Sequence, residues 1–78
     1  MTFTEYVMAR RATDTPNGDF VADTQTLIRA GRFEDPKTWR QLEFFMRFRA
    51  GVPGGVSERT IEAGKRVWRQ YQAASKKV

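Results

Sequence analysis

Apolar side chains recur three and four residues apart along most of this chain, a spacing that predicts helices. The first helix is expected from Thr2 to about Arg11. Thr2 and Glu5 stand at the separation at which a hydroxyl and a carboxylate satisfy each other's backbone N–H groups. Phe3, Tyr6, Val7 and the alkyl stem of Arg10 share its inward edge, with Met8 on the other side. Asp14-Thr15-Pro16-Asn17-Gly18-Asp19 reads as a turn into a second helix, in one of two registers. Either Thr15 is the N-cap with Pro16 at the first helical position, or Asp19 caps after a free-standing turn. The second helix carries Phe20, Val21, Thr24, Leu27 and Ile28 on one face to about Ala30, and Gly31 supplies the stop.

Beyond a link holding Phe33, Asp35-Pro36 predicts an N-cap followed by proline at the first helical position. Trp39, Leu42, Phe45, Met46 and Ala50 then repeat at helical spacing up to Gly51. Phe44 and Phe48 fall on a second face of this third helix, roughly 140–180° from Trp39, as an i,i+4 pair. The third helix is therefore either central and packed on two sides, or it exposes an aromatic pair. Val52-Pro53-Gly54-Gly55-Val56 interrupts the helical pattern, and Ser57 with Glu58 opens a last helix that reaches about Ala73, with residues 74–78 frayed. Its inward face gathers Ile61, Gly64, Val67, Trp68, Tyr71 and Ala74, and Glu62, Lys65, Arg66, Arg69 and Gln70 lie opposite. Glycine inside a helix costs about 1 kcal/mol relative to alanine, so Gly64 predicts close approach of another element there, with a large ring such as Trp39 the expected neighbour. No stretch shows the period-two alternation of a strand. The expected fold is all-α, a single domain over 1–78 of four helices, or five if a short turn forms around Gly51–Val56.

Composition narrows the chemistry. The 78 residues contain no Cys and no His, which removes disulfides, thiolate or imidazole metal sites and Cys–His or Ser–His catalysis. No carboxylates recur at a spacing that suggests an acid–base pair, and Gly51-x-x-Gly54-Gly55 lacks the Lys-Ser/Thr that completes a phosphate loop. Anchoring Gly18 at the sixth position of a calcium loop puts Thr13, Thr15, Asn17 and Thr24 at ligand positions, with no bidentate Glu. The expectation is a protein without catalytic activity, cofactor, metal or small-molecule substrate. No apolar run is long enough to span a bilayer, and the basic pair Arg10-Arg11 follows the first apolar residues rather than preceding them, the reverse of a secretory signal. A cytoplasmic location is expected.

Charge changes the picture in the second half. Residues 1–38 hold five basic and six acidic side chains, whereas residues 39–78 hold nine basic and three acidic. Lys65, Arg66 and Arg69, with Arg59 one turn earlier, form a basic strip on the last helix. Arg40 and Arg47 extend it if the third and last helices pack side by side. Such a strip could neutralise about four to six phosphates of a nucleic acid. Glu62 precedes Arg66 and Glu43 precedes Arg47 by four residues, the favourable order for internal ion pairs, so a solvated face is the competing reading. Phe44 with Phe48 offers a different surface. In a chain this short the pair is expected to pack against the first or second helix; left uncovered, it would be an apolar patch that a partner buries.

Phe3-x-x-Tyr6-Val7-Met8, Asp14-x-Pro16-x-Gly18-Asp19-Phe20-x-x-Asp23, Phe33, Trp39-x-x-Leu42 and Trp68-x-x-Tyr71 together resemble the YozE-like family of small bacterial proteins, whose fold is similar to the sterile alpha motif (SAM). The resemblance runs from Phe3 to Tyr71 and implies a five-helix bundle, with no activity attached. The chain departs from that pattern in its Pro53-Gly54-Gly55 stretch and its basic second half. The expected function is an interaction module that binds another protein or copies of itself, with nucleic-acid binding through the basic strip as the alternative.

Overall fold

The computed structural model describes residues 1–48 and 56–76. They form four helices, α1 (Phe3–Met8), α2 (Pro16–Arg29), α3 (Trp39–Phe48) and α4 (Glu58–Ser75), with no strand among the described residues. The fold is thus an all-α bundle. Ala50 and the turn expected around Gly51–Val56 lie outside the described residues, Val56 excepted.

Each helix start has a local cause. Thr2 caps α1: its hydroxyl accepts from the Glu5 amide at 3.1 Å while the Glu5 carboxylate accepts from the Thr2 amide at 2.8 Å. Those hydrogen bonds, led by the backbone one from Thr2, hold the Glu5 carboxyl below its ordinary value. Of the two registers open for α2, Thr15 is the cap, with its hydroxyl 3.0 Å from the Gly18 amide and Pro16 at the first position. A Cβ on Gly18 would overlap the backbone of Thr13, so only glycine fits beneath that turn. At the other end Gly31 adopts φ +71°, and the Gly31 and Arg32 amides donate to Ile28 and Leu27 carbonyls, closing the helix with a Schellman motif.

Three ends differ from expectation, the simplest being that α4 continues to Ser75 although residues from 74 on are expected to fray. α1 stops at Met8 rather than Arg11, because the Gln25 amide donates to the Val7 and Arg10 carbonyls, both at 2.9 Å, and takes over the partners that further turns would have supplied. Gln25 is buried, and those two bonds satisfy its amide nitrogen. Arg10 consequently lies beyond α1 and is exposed, its guanidinium donating to the Tyr6 hydroxyl and, across the bundle, to Gln70 on α4. α3 begins at Trp39, three residues after Pro36, with the Thr38 hydroxyl accepting from the Gln41 amide. Asp35 does not cap α3. Its Oδ1 accepts from the Thr4 amide at 2.9 Å and the Thr4 hydroxyl at 2.8 Å, so it satisfies a free N–H in the first turn of α1, 31 residues away. Burial pushes the Asp35 carboxyl up, but the Thr4 and Lys37 hydrogen bonds outweigh it and hold the group below its ordinary value.

The core gathers Phe3, Val7, Phe20, Val21, Leu42, Ile61, Ala63, Val67 and Trp68. Phe3 sits between Trp68, at 5.0 Å between ring centroids, and the edge of Tyr71, at 5.3 Å, while Phe33 meets Phe45 edge-on at 5.2 Å. Ala63, outside the face read from the sequence, is fully buried because α4 is wrapped on more than one side. α4 packs on α1, α2 and α3, whereas α3 has α4 as its only helix neighbour among the described residues. Gly64 marks the crossing: a Cβ there would stand 2.9 Å from Phe20 Cε2 and 3.2 Å from Met46 Sδ. A large ring does approach, but it is Phe20 of α2, with Met46 of α3 beside it, rather than Trp39, which lies farther along α4 beside Lys65, Trp68 and Arg69.

Candidate interaction surfaces

The outer side of α3 carries Arg40, Phe44 and Phe48 at successive four-residue steps, all three exposed. Phe44 and Phe48 keep 54% and 71% of their surface in solvent and contact each other as a tilted pair at 5.0 Å between centroids. The packing of this pair against α1 or α2 expected from the sequence does not occur. α3 turns Leu42 and Met46 inward onto α4, and on the side toward α2 it borders a cleft of about 310 Å³ whose walls include Phe33 and Phe45, so no described helix reaches the opposite face. Beside Phe44 runs a groove of about 480 Å³ whose walls include Glu34, Asp35, Arg40 and Phe45.

The basic strip assembles only in part. Arg59, Lys65, Arg66 and Arg69 are all exposed on α4. Arg40 does not join them, since it lies on the Phe44 side of α3 within the groove that holds Glu34 and Asp35. Arg47 does face α4, yet it is spent there: Nη1 donates to Glu58 at 2.7 Å and Nη2 contacts Glu43 at 3.3 Å. Hydrogen bonds to Glu58 and then Glu43 raise the guanidinium pKa further, and Arg47 in turn lowers that of Glu58. The expected Glu62–Arg66 pair does not form; Arg66 Nε donates instead to Asn17 Oδ1 on α2 at 3.0 Å. Arg59, Lys65 and Arg69 make no ion pair among the described residues.

The structure adds a residue that sequence spacing missed. Lys37, just before α3, comes to the side of α4 occupied by Lys65 and Arg69, and the three cations share a groove of about 320 Å³ with Thr38, Trp39, Trp68 and Gln72. Lys37 and Lys65 are 28 positions apart, and only the antiparallel packing of α3 on α4 joins them. Among the described residues no three Asp or Glu side chains approach closely enough to hold a metal ion, and no helix is long and apolar enough to cross a membrane.

The fold and its surfaces define a small all-α bundle with one aromatic and one basic outer face. No known family model, curated protein or solved structure matches the chain.

Proposed function

We propose that this chain is a non-enzymatic interaction module that self-associates through the Arg40–Phe44–Phe48 stripe of α3. The observation that carries the reading is the exposure of two adjacent, mutually tilted phenylalanines on a helix whose opposite face already supplies its contacts with the core. Water disfavours such a pair, and a partner surface removes it from water. The stripe is its own complement. Successive residues are about 6 Å apart along the axis. When two α3 helices pair antiparallel about Phe44, the Phe44 rings meet at the two-fold axis and each Arg40 lies over the other copy's Phe48, a cation on an aromatic face. The resemblance to the YozE-like proteins supports the bundle part of this reading and adds no activity to it.

Sedimentation equilibrium over a wide concentration range tests it. The wild-type mass rises from 9.0 kDa toward twice that value as concentration increases, and Phe44→Ser, Phe48→Ser holds the mass of one chain while retaining its helical circular dichroism. A wild-type chain that stays monomeric at the highest concentrations contradicts self-association. A double variant that unfolds places the two rings in the core instead.

A further inference from the structure

From the groove between the start of α3 and the second half of α4 we infer a second, independent binding site, one for single-stranded nucleic acid. Lys37, Lys65 and Arg69 converge on it from two elements, and its walls contain no carboxylate-bearing residue. The groove beside Phe44, by contrast, includes Glu34 and Asp35 and sets them against Arg40. Charge is therefore sorted between the two grooves, and one of them suits a polyanion.

The aromatic lining selects among polyanions. Trp39 is half-buried, anchored on the core by one side while it lines the groove with the other, next to the cations. A ring held that way is a platform on which a nucleotide base stacks, and stacking requires a base that is not already paired within a duplex. Lys65 and Arg69 lie one helical turn apart on α4, so consecutive phosphates of an extended strand can meet them while the intervening base reaches Trp39. Lys37 is 74% exposed and its contact with Asp35 is a surface pair at 3.2 Å, worth little in water, so a phosphate competes for it without large cost. The carboxylate oxygen that anchors Thr4 is the other one, and α1 keeps its cap when Lys37 turns to a ligand.

The intrinsic fluorescence of the chain reports on this site, because both of its tryptophans line the groove, Trp39 as the more exposed ring and Trp68 with only 5% of its surface in solvent. Titration of the full chain with oligothymidylate and oligouridylate at several salt concentrations is expected to quench the emission, with a log–log salt slope of about −2 for three phosphate contacts on a single strand. Lys65→Glu, Arg69→Glu should weaken binding by about tenfold or more. Arg29→Glu, Arg32→Glu, which changes net charge equally at residues outside the groove, should have a much smaller effect. Circular dichroism of both variants confirms that the fold persists. Failure to bind at low salt, equal loss in the two variants, or a duplex or inorganic polyphosphate binding as tightly as the single strands overturns the inference. None of these readouts depends on Phe44 or Phe48, so self-association and strand binding fail or stand separately.

Discussion

The outward faces of α3 and α4 are built from opposite chemistry. On α4, Arg59, Glu62, Lys65, Arg66, Arg69 and Gln70 meet solvent, and long charged side chains there cost nothing to hydrate. On α3, two rings meet solvent behind a single cation. The core does not demand those rings, since no described helix packs on them. The difference separates what holds the bundle together from what the bundle offers to other molecules: Phe3 is a phenylalanine for stability, and Phe44 and Phe48 are not.

The largest effect should come from testing that distinction directly. Phe3→Ala removes a fully buried ring shared by α1 and α4 and is expected to cost about 3–5 kcal/mol, enough to unfold much of so small a protein. Phe44→Ser, Phe48→Ser should cost under about 1 kcal/mol in a dilute sample. Urea unfolding of the two variants side by side checks both, and equal losses would erase the contrast.

Next is the tie that places α3 against the rest. Asp35→Ala leaves the Thr4 amide without its carboxylate and is expected to cost about 2 kcal/mol by the same measurement. The pH dependence has a defined sign. The folded Asp35 carboxyl lies below its ordinary 3.8, so the unfolded chain takes up the proton first. The stabilisation is complete above 3.8 and is lost as pH falls through the lower folded value. Thermal melts from pH 5 downward should show that loss in the wild type and a shallower one in Asp35→Asn.

A smaller effect belongs to Gly31, whose φ of +71° closes α2. Gly31→Ala meets open space but the wrong backbone region, and a loss of about 1 kcal/mol is expected from denaturant unfolding. Smallest is Arg47→Ala. Arg47, Glu43 and Glu58 form a solvent-facing cluster, so the melting temperature should fall slightly at low salt and not at all at high salt. A large, salt-independent drop would mean that this corner, rather than the aromatic stripe, is the structural part of α3.

Local signals account for most of what the sequence revealed. The Thr2–Glu5 box and the Gly31 stop each depend on residues within one turn of one another and appear where the spacing put them, and the Pro16 start is one of the two registers that the spacing left open. Three readings went astray because their cause is tertiary. Asp35-Pro36 has the form of a helix start, yet the carboxylate found a better donor in Thr4, a residue with no sequence relation to it. The first helix is expected to reach Arg11, and nothing local tells that Gln25, polar and next to the apolar face of α2, captures carbonyls of α1 and ends it at Met8. Gly64 correctly announced a close approach, but the identity of the neighbour depends on where α2 and α3 cross α4. The candidate surfaces followed the same division. The Phe44–Phe48 pair and the α4 cations were legible as helical faces, whereas the exposure of the first, the diversion of Arg40 and Arg47, and the recruitment of Lys37 follow from which side of α3 meets α4.

The most direct test of the aromatic stripe is an isotope-filtered NOE spectrum of an equimolar mixture of labelled and unlabelled chain, concentrated enough to associate. Antiparallel pairing about Phe44 predicts cross-peaks between Phe44 rings of different chains and between the Arg40 side chain and the Phe48 ring of the other copy. Intermolecular peaks confined to α4, or none at all, would contradict it.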